Sequence, residues 1–236
     1  MNFSYYYDKI KTNLSQSRRT KVKYKTIIFD LDGTLLNTLN DLAAAANYAL
    51  AKNKLPLRTK DEIRMFVGNG IHKLVERSVP ANSPKSIQNA VFHDLNTYYK
   101  QHCADNTHPY PGIIQLLQKL RELGCQTAIV SNKPDYGVQA LAKQYFYGQL
   151  DAACGERTGI AKKPAPDMLL AIMQELHADK NSTVYVGDSD TDIETAFNAG
   201  VPCIGACWGF RGRKFLEEHG AELLADTVND LLPLLK

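Results

Sequence analysis

The sequence predicts an α/β fold in which helices cover both faces of a parallel sheet and an all-helical block is inserted after the first strand. Three observations lead there. From residue 108 onward, short apolar runs alternate with stretches of helical periodicity. Between residues 40 and 105 the apolar residues recur only at helical spacing. Polar residues gather where the predicted strands end, and in a parallel sheet those ends share one edge.

The first strand is Ile27 to Phe29, an apolar run that delivers Asp30 and Asp32 ahead of Gly33 and Thr34. Two carboxylates so close repel one another and are costly to bury unpaired, so the chain sets them where a strand stops. A divalent cation would compensate them, since hard cations take carboxylate and carbonyl oxygens. Asn40 or Asp41 is placed to cap a helix through Leu50, with Leu42, Ala46, Ala49 and Leu50 on one face. Leu55-Pro56-Leu57 breaks it, and Thr59 with Glu62 forms a capping box for a second helix. Val67-Gly68-Asn69-Gly70 is a turn, a helix starts at Ile71, and another runs from Ser83-Pro84 to about His102.

Beyond His108 the alternation begins. A helix covers Ile113 to Leu123, and a strand covers Gln126 to Val130, followed by Ser131 and Asn132. A helix over Tyr136 to Lys143 and a short strand over Leu150 to Cys154 precede Lys162-Lys163-Pro164. A helix follows from Asp167 to Leu176, then a strand from Thr183 to Val186 that ends in Gly187-Asp188. A helix through Asp192 reaches Ala199, Pro202 to Ala206 is a strand, and a last strand near Leu223 precedes a helix after Asp226.

The expected domains are a basic extension over residues 1–22, a sheet domain over 23–38 and 109–236, and the helical block over 39–108. The extension holds Lys9, Lys11, Arg18, Arg19 and Lys21 against the single acid Asp8, without the apolar stretch of a secretory signal. A hydrophobic fraction of 44%, a charged fraction of 22% and a net charge of +3 describe an ordinary globular protein with no call for nucleic acid. No apolar run approaches the roughly 18 residues of a membrane span. The five cysteines include no C-x-x-C pair, and Cys203 and Cys207 flank a strand-like run, so buried thiols in a reducing, cytoplasmic setting are expected.

Singly, each polar strand end has a plain explanation. Asp30-Leu31-Asp32-Gly33 and Gly187-Asp188 suit turns, Ser131-Asn132 suits a helix cap, and Lys163 suits a solvated loop. Their order and placement together do not. Asp30-Leu31-Asp32-Gly33-Thr34, Ser131-Asn132, Lys163-Pro164 and Gly187-Asp188 through Asp192 resemble the four motifs of the haloacid dehalogenase-like phosphohydrolases. The helical block sits where that family inserts an α-helical cap into its Rossmann-like core. Leu35 to Thr38, the Val67–Gly70 turn and Lys163-Pro164-Ala165-Pro166 are similar to the phosphoglycolate phosphatase branch.

The resemblance implies a Mg²⁺-dependent phosphatase for a small phosphorylated metabolite, 2-phosphoglycolate first, in a monomer or homodimer. It implies Asp30 as the nucleophile and Asp32 as general acid and base. Ser131, Asn132 and Lys163 would hold the phosphate, with Gly33, Thr34 and nearby amides cradling it. Mg²⁺ would rest on Asp30, the Asp32 carbonyl and Asp188, with Asp192 acting through water or orienting Lys163. Gly68, Asn69 and Gly70 would set specificity, and the block would close on hinges near residues 37–40 and 105–111. A pyrophosphatase, or a broad sugar-phosphate or nucleotide phosphatase, stays open as an alternative. Leu42 and Ile71 stand where β-phosphoglucomutases carry a histidine and an arginine, which argues against a mutase. Asp32 argues against a dehalogenase, and the complete motif set argues against a non-catalytic scaffold.

Overall fold

The computed structural model describes residues 22–236; all but the last residue of the basic extension lies outside them. Strand β1, Thr26–Phe29, is fully buried because it lies inside the sheet and is covered on both faces. Alternate side chains serve different layers: Ile27 and Phe29 join one apolar core and Ile28 the other. β1 pairs in parallel with β4 (Gln126–Pro134) on one side and β6 (Thr183–Gly187) on the other. With β5 (Ala152–Glu156), β7 (Cys203–Ala206) and β8 (Leu223–Ala225) the sheet has the order β5-β4-β1-β6-β7-β8, parallel throughout. The predicted sheet is therefore present, with the strand expected over 150–154 two residues further along.

The helical block comprises α1 (Leu39–Lys52), α2 (Lys60–Phe66), α3 (Ile71–Ser78) and α4 (Lys85–His102). Its long helices α1 and α4 pack together; Tyr48 stacks on Tyr98 at 4.3 Å and Lys52 pairs with Asp94 at 2.7 Å. The Thr59–Glu62 capping box forms as predicted. The cap expected of Asn40 or Asp41 does not. Helix α1 starts earlier, at Leu39, whose amide lies 3.4 Å from Asn37 Oδ1. Asp41 is buried and accepts hydrogen bonds from the Asn106 and Thr107 amides, the Asn106 side chain and the Thr107 hydroxyl, all at 2.8–3.0 Å. A local capping rule lost to a partner more than sixty residues away.

The two crossings between block and sheet lie side by side as a short antiparallel ribbon, β2 (Leu36–Asn37) with β3 (His108–Pro109). Asp41 fastens the second crossing to the start of α1. Asp41→Ala removes every acceptor of that clamp and leaves buried donors unpaired, so a loss of about 2–4 kcal/mol in denaturant unfolding is expected. A loss below about 1 kcal/mol would show that the ribbon holds the crossings without it.

Helices α5 (Ile113–Glu122), α6 (Asp135–Phe146), α7 (Asp167–Glu175), α8 (Asp190–Ala199) and α9 (Arg213–Glu218) connect the strands, and the short α10 (Leu231–Leu234) follows the last of them. Cys203 and Cys207, expected buried, are half-buried free thiols. No helix among the described residues is long and apolar enough to cross a membrane.

Candidate active site

Four strand ends converge, as the parallel sheet requires. Asp30 follows β1, Ser131 and Asn132 lie in β4, Lys163 follows β5, and Asp188 and Asp192 follow β6. β4 runs past its predicted end at Val130, and its register with β5 shifts between Val130 and Pro134. That irregularity lets the consecutive residues Ser131, Asn132 and Lys133 all line one cavity instead of alternating between faces. The cavity, narrow and partly open to solvent, is also lined by Asp30 and Asp32 and roofed by Leu42, Gly68, Gly70, Ile71 and Leu74 of the helical block.

Asp192 organises the deepest part. Its Oδ2 accepts from the amides of Asp188 (3.1 Å) and Ser189 (3.0 Å) and from the Ser189 hydroxyl (2.7 Å), a helix-start arrangement that locks the carboxylate. Its Oδ1 takes the Lys163 ammonium at 2.6 Å, which also donates to the Tyr185 hydroxyl at 2.9 Å. So held, Lys163 comes within 3.0 Å of Asp30 Oδ1, although not along a hydrogen-bond direction, and that oxygen has no hydrogen-bond partner. Burial raises the Asp30 carboxyl to about 6 against the pull of Lys163, with Asp192 and Asp32 pushing the same way as burial.

Asp188 is also buried. It accepts from Thr34 Oγ1 (3.3 Å) and the Phe210 amide (2.7 Å), and no lysine or arginine among the described residues pairs with it. Burial lifts its carboxyl well above the usual carboxylate range, with Asp192 and Asp30 adding to the shift. Carboxylate oxygens of Asp30, Asp188 and Asp192 lie within 4.8 Å of one another. This set of hard oxygens, short of positive charge and including an Asp30 oxygen without a hydrogen-bond partner, fits a divalent cation. Both Asp192 oxygens are already engaged, which leaves Asp30 and Asp188 as the available carboxylates. The chain is shaped around these acids. A Cβ on Gly33, where φ is +90°, would fall 2.3 Å from Asp188 Oδ2, and one on Gly187 would fall 2.3 Å from Asp192.

The remaining predicted residues divide. Gly68 and Gly70 reach the cavity; Asn69 instead donates to Thr191 Oγ1 at 2.9 Å and ties the turn to α8. Gly33 and Thr34, expected at the phosphate, are supports: the Gly33 amide donates to the Leu36 carbonyl and the Thr34 hydroxyl to Asp188. Asn132 donates to the carbonyls of Gly68 and Lys163, and its buried Oδ1 lacks a partner.

Three contributors escaped the sequence reading. Lys133 Nζ pairs with Asp32 at 2.8 Å and meets the Tyr99 hydroxyl of α4. Tyr99 falls in a four-residue repeat with Val91 and Leu95, which reads as plain helix core. Arg211, in the loop whose Phe210 amide holds Asp188, donates to the carbonyls of Arg64, Met65 and Val67 and so closes the C-terminal end of α2. Only Lys133 left a trace in the sequence, as the residue following Ser131-Asn132.

A family model described as haloacid dehalogenase-like hydrolase matches residues 27–206. The phosphoglycolate phosphatase of Pseudomonas syringae pv. syringae (strain B728a) is 33% identical over 217 residues, covering 89% of this chain and 79% of that protein. The phosphoglycolate phosphatase of Vibrio parahaemolyticus serotype O3:K6 is 30% identical over 226 residues, covering 92% and 98%. A crystal structure from Lactobacillus delbrueckii subsp. bulgaricus, of a protein assigned provisionally as a phosphoglycolate phosphatase, superposes with a TM-score of 0.85 at 37% identity over 90% of this chain and 98% of that one.

Proposed function

The chain belongs to the haloacid dehalogenase-like hydrolases, and on that premise we propose that it is a Mg²⁺-dependent phosphatase for a small phosphate monoester, 2-phosphoglycolate first, acting through an aspartyl phosphate. One observation carries the reading. Asp30 offers an oxygen without a hydrogen-bond partner, beside a fixed ammonium and a buried acid that lacks a counter-charge. A nucleophile that must meet a phosphate needs such an oxygen, and it needs its charge offset.

In this reading Asp30, Asp188 and the Asp32 carbonyl would hold a divalent cation, which would supply charge neutralisation where carboxylate and phosphate meet. Asp30 attacks phosphorus, the P–O ester bond breaks, and Asp32 gives its proton to the departing alkoxide. Asp32 then takes a proton from the water that attacks the aspartyl phosphate, which releases inorganic phosphate and frees Asp30. Lys163 and the Ser131 hydroxyl hold the phosphoryl oxygens, and Asn132 orders the loop that carries Lys163. Residues 39–108 act as a cap that excludes water, with the Gly68–Gly70 turn over the reacting group. The compact, largely apolar roof of Leu42, Ile71 and Leu74 suits a short leaving group, and the names of the relatives support glycolate.

A phosphatase screen with Mg²⁺ across 2-phosphoglycolate, pyrophosphate, β-glucose 1-phosphate and a nucleotide tests the substrate. The highest kcat/KM is expected for 2-phosphoglycolate; a flat profile, or a preference for the nucleotide, would sink that assignment. The metal has a test that does not use turnover. The folded state keeps the Asp30 proton up to about 6, whereas an unfolded carboxyl titrates near about 3.9. Ionising Asp30 therefore costs stability, and the cost accumulates as pH rises from about 4 to about 6. A cation bound to the ionised cluster offsets it, so the thermal shift produced by Mg²⁺ over EDTA should grow between about pH 5 and about pH 7. A shift independent of pH would place the ion elsewhere.

A further inference from the structure

The roles above leave Lys133 without a task. Its side chain is 1% exposed, and its ammonium lies 2.8 and 3.1 Å from the two oxygens of Asp32 and 2.5 Å from the Tyr99 hydroxyl. A lysine this deep is costly to desolvate, so its place is set by what it touches. One partner belongs to the sheet edge and the other to the helical block, which puts Nζ on the seam between them. Lys133 also lines the cavity that holds Asp30, and among the described residues lining that cavity it is the only cation. Lys163, assigned above to the phosphoryl oxygens, does not line it and sits against Asp192 and Asp30.

We infer that Lys133 is the receptor for a carboxylate on the leaving-group side of the substrate, joined to the ester oxygen through one or two carbons. With phosphorus against Asp30, the departing oxygen faces Asp32. Because Lys133 Nζ sits directly on the Asp32 carboxylate, a group one or two bonds beyond that oxygen arrives at Nζ. The three N–H donors of the ammonium are now given to two carboxylate oxygens and one hydroxyl. An incoming carboxylate takes one of those donors from Asp32, which carries the proton it gives to the leaving oxygen, and leaves the Tyr99 contact in place, so the ammonium keeps an anionic partner. A neutral arm leaves that donor unanswered, and a cationic arm is repelled. Leu42, Ile71 and Leu74 offer neither of them a polar substitute. This rests on the phosphatase reading and adds the residue that selects its substrate.

Three phosphate monoesters of nearly equal length separate the possibilities: 2-phosphoglycolate, ethyl phosphate and O-phosphoethanolamine, ending in carboxylate, methyl and ammonium. With Mg²⁺ the wild-type kcat/KM is expected to fall in that order. Lys133→Met should lower the preference for 2-phosphoglycolate over ethyl phosphate by about 10- to 100-fold, chiefly through KM, and relieve the penalty on the ammonium ester. An equal fall on all three esters would mean that Lys133 only fastens the block, and would overturn the inference. Should the variant not fold, the wild-type series decides: ethyl phosphate or the ammonium ester turned over as well as 2-phosphoglycolate overturns the receptor and leaves the phosphatase standing. A wild-type enzyme inert to all three esters would overturn both.

Discussion

Asp30→Asn is expected to lower turnover by at least about four orders of magnitude while the fold survives. The amide is nearly isosteric but is no nucleophile toward phosphorus, so the covalent half of the reaction is lost. The variant should also be no less stable than the parent in EDTA at neutral pH. Asp30 is a buried acid whose ionisation is opposed by burial and by two neighbouring acids, and Lys163 keeps its shorter contact with Asp192 when Asp30 is neutral. Steady-state turnover and a thermal melt in EDTA check both halves. Turnover within about tenfold of the parent would remove Asp30 from the nucleophile's role.

Asp192→Ala is expected to have the largest effect on stability, a loss of about 3–5 kcal/mol, enough to lower the melting temperature by about 10 °C. No part of the Asp192 side chain is exposed, and its loss strips acceptors from two amides, the Ser189 hydroxyl and the Lys163 ammonium at once. Asp192→Asn, which keeps one acceptor oxygen, should fall between the two. Denaturant unfolding of the three proteins measures the series. A loss under about 1 kcal/mol for the alanine variant would show that this network does not order the site.

Legibility in the sequence followed the reach of the interactions. β1 was readable because a strand covered on both faces must be apolar at every position, and Ile27, Ile28 and Phe29 are. The helical block was readable from the spacing of Ile71, Leu74 and Val75 and from the Thr59–Glu62 box, both of which are local signals. β2 and β3 were not, since two residues carry no periodicity and their pairing depends on partners seventy positions apart. Asp41 had the right identity for a cap and was drawn away by Asn106 and Thr107.

The same division runs through the site. By itself the sequence determined which acids, hydroxyl and lysine to expect there, as an ordered set that resembles one family's motifs; it did not fix every strand end, since β4 continues through Ser131 and Asn132 to Pro134. Only the tertiary structure decided what each does there. Asp192 locks Lys163, Thr34 supports Asp188, and Lys133, unremarkable along the chain, is enclosed by Asp32 and Tyr99. The reason is physical: the cost of burying a charge, and the direction of the bond that repays it, depend on neighbours that folding alone brings within reach.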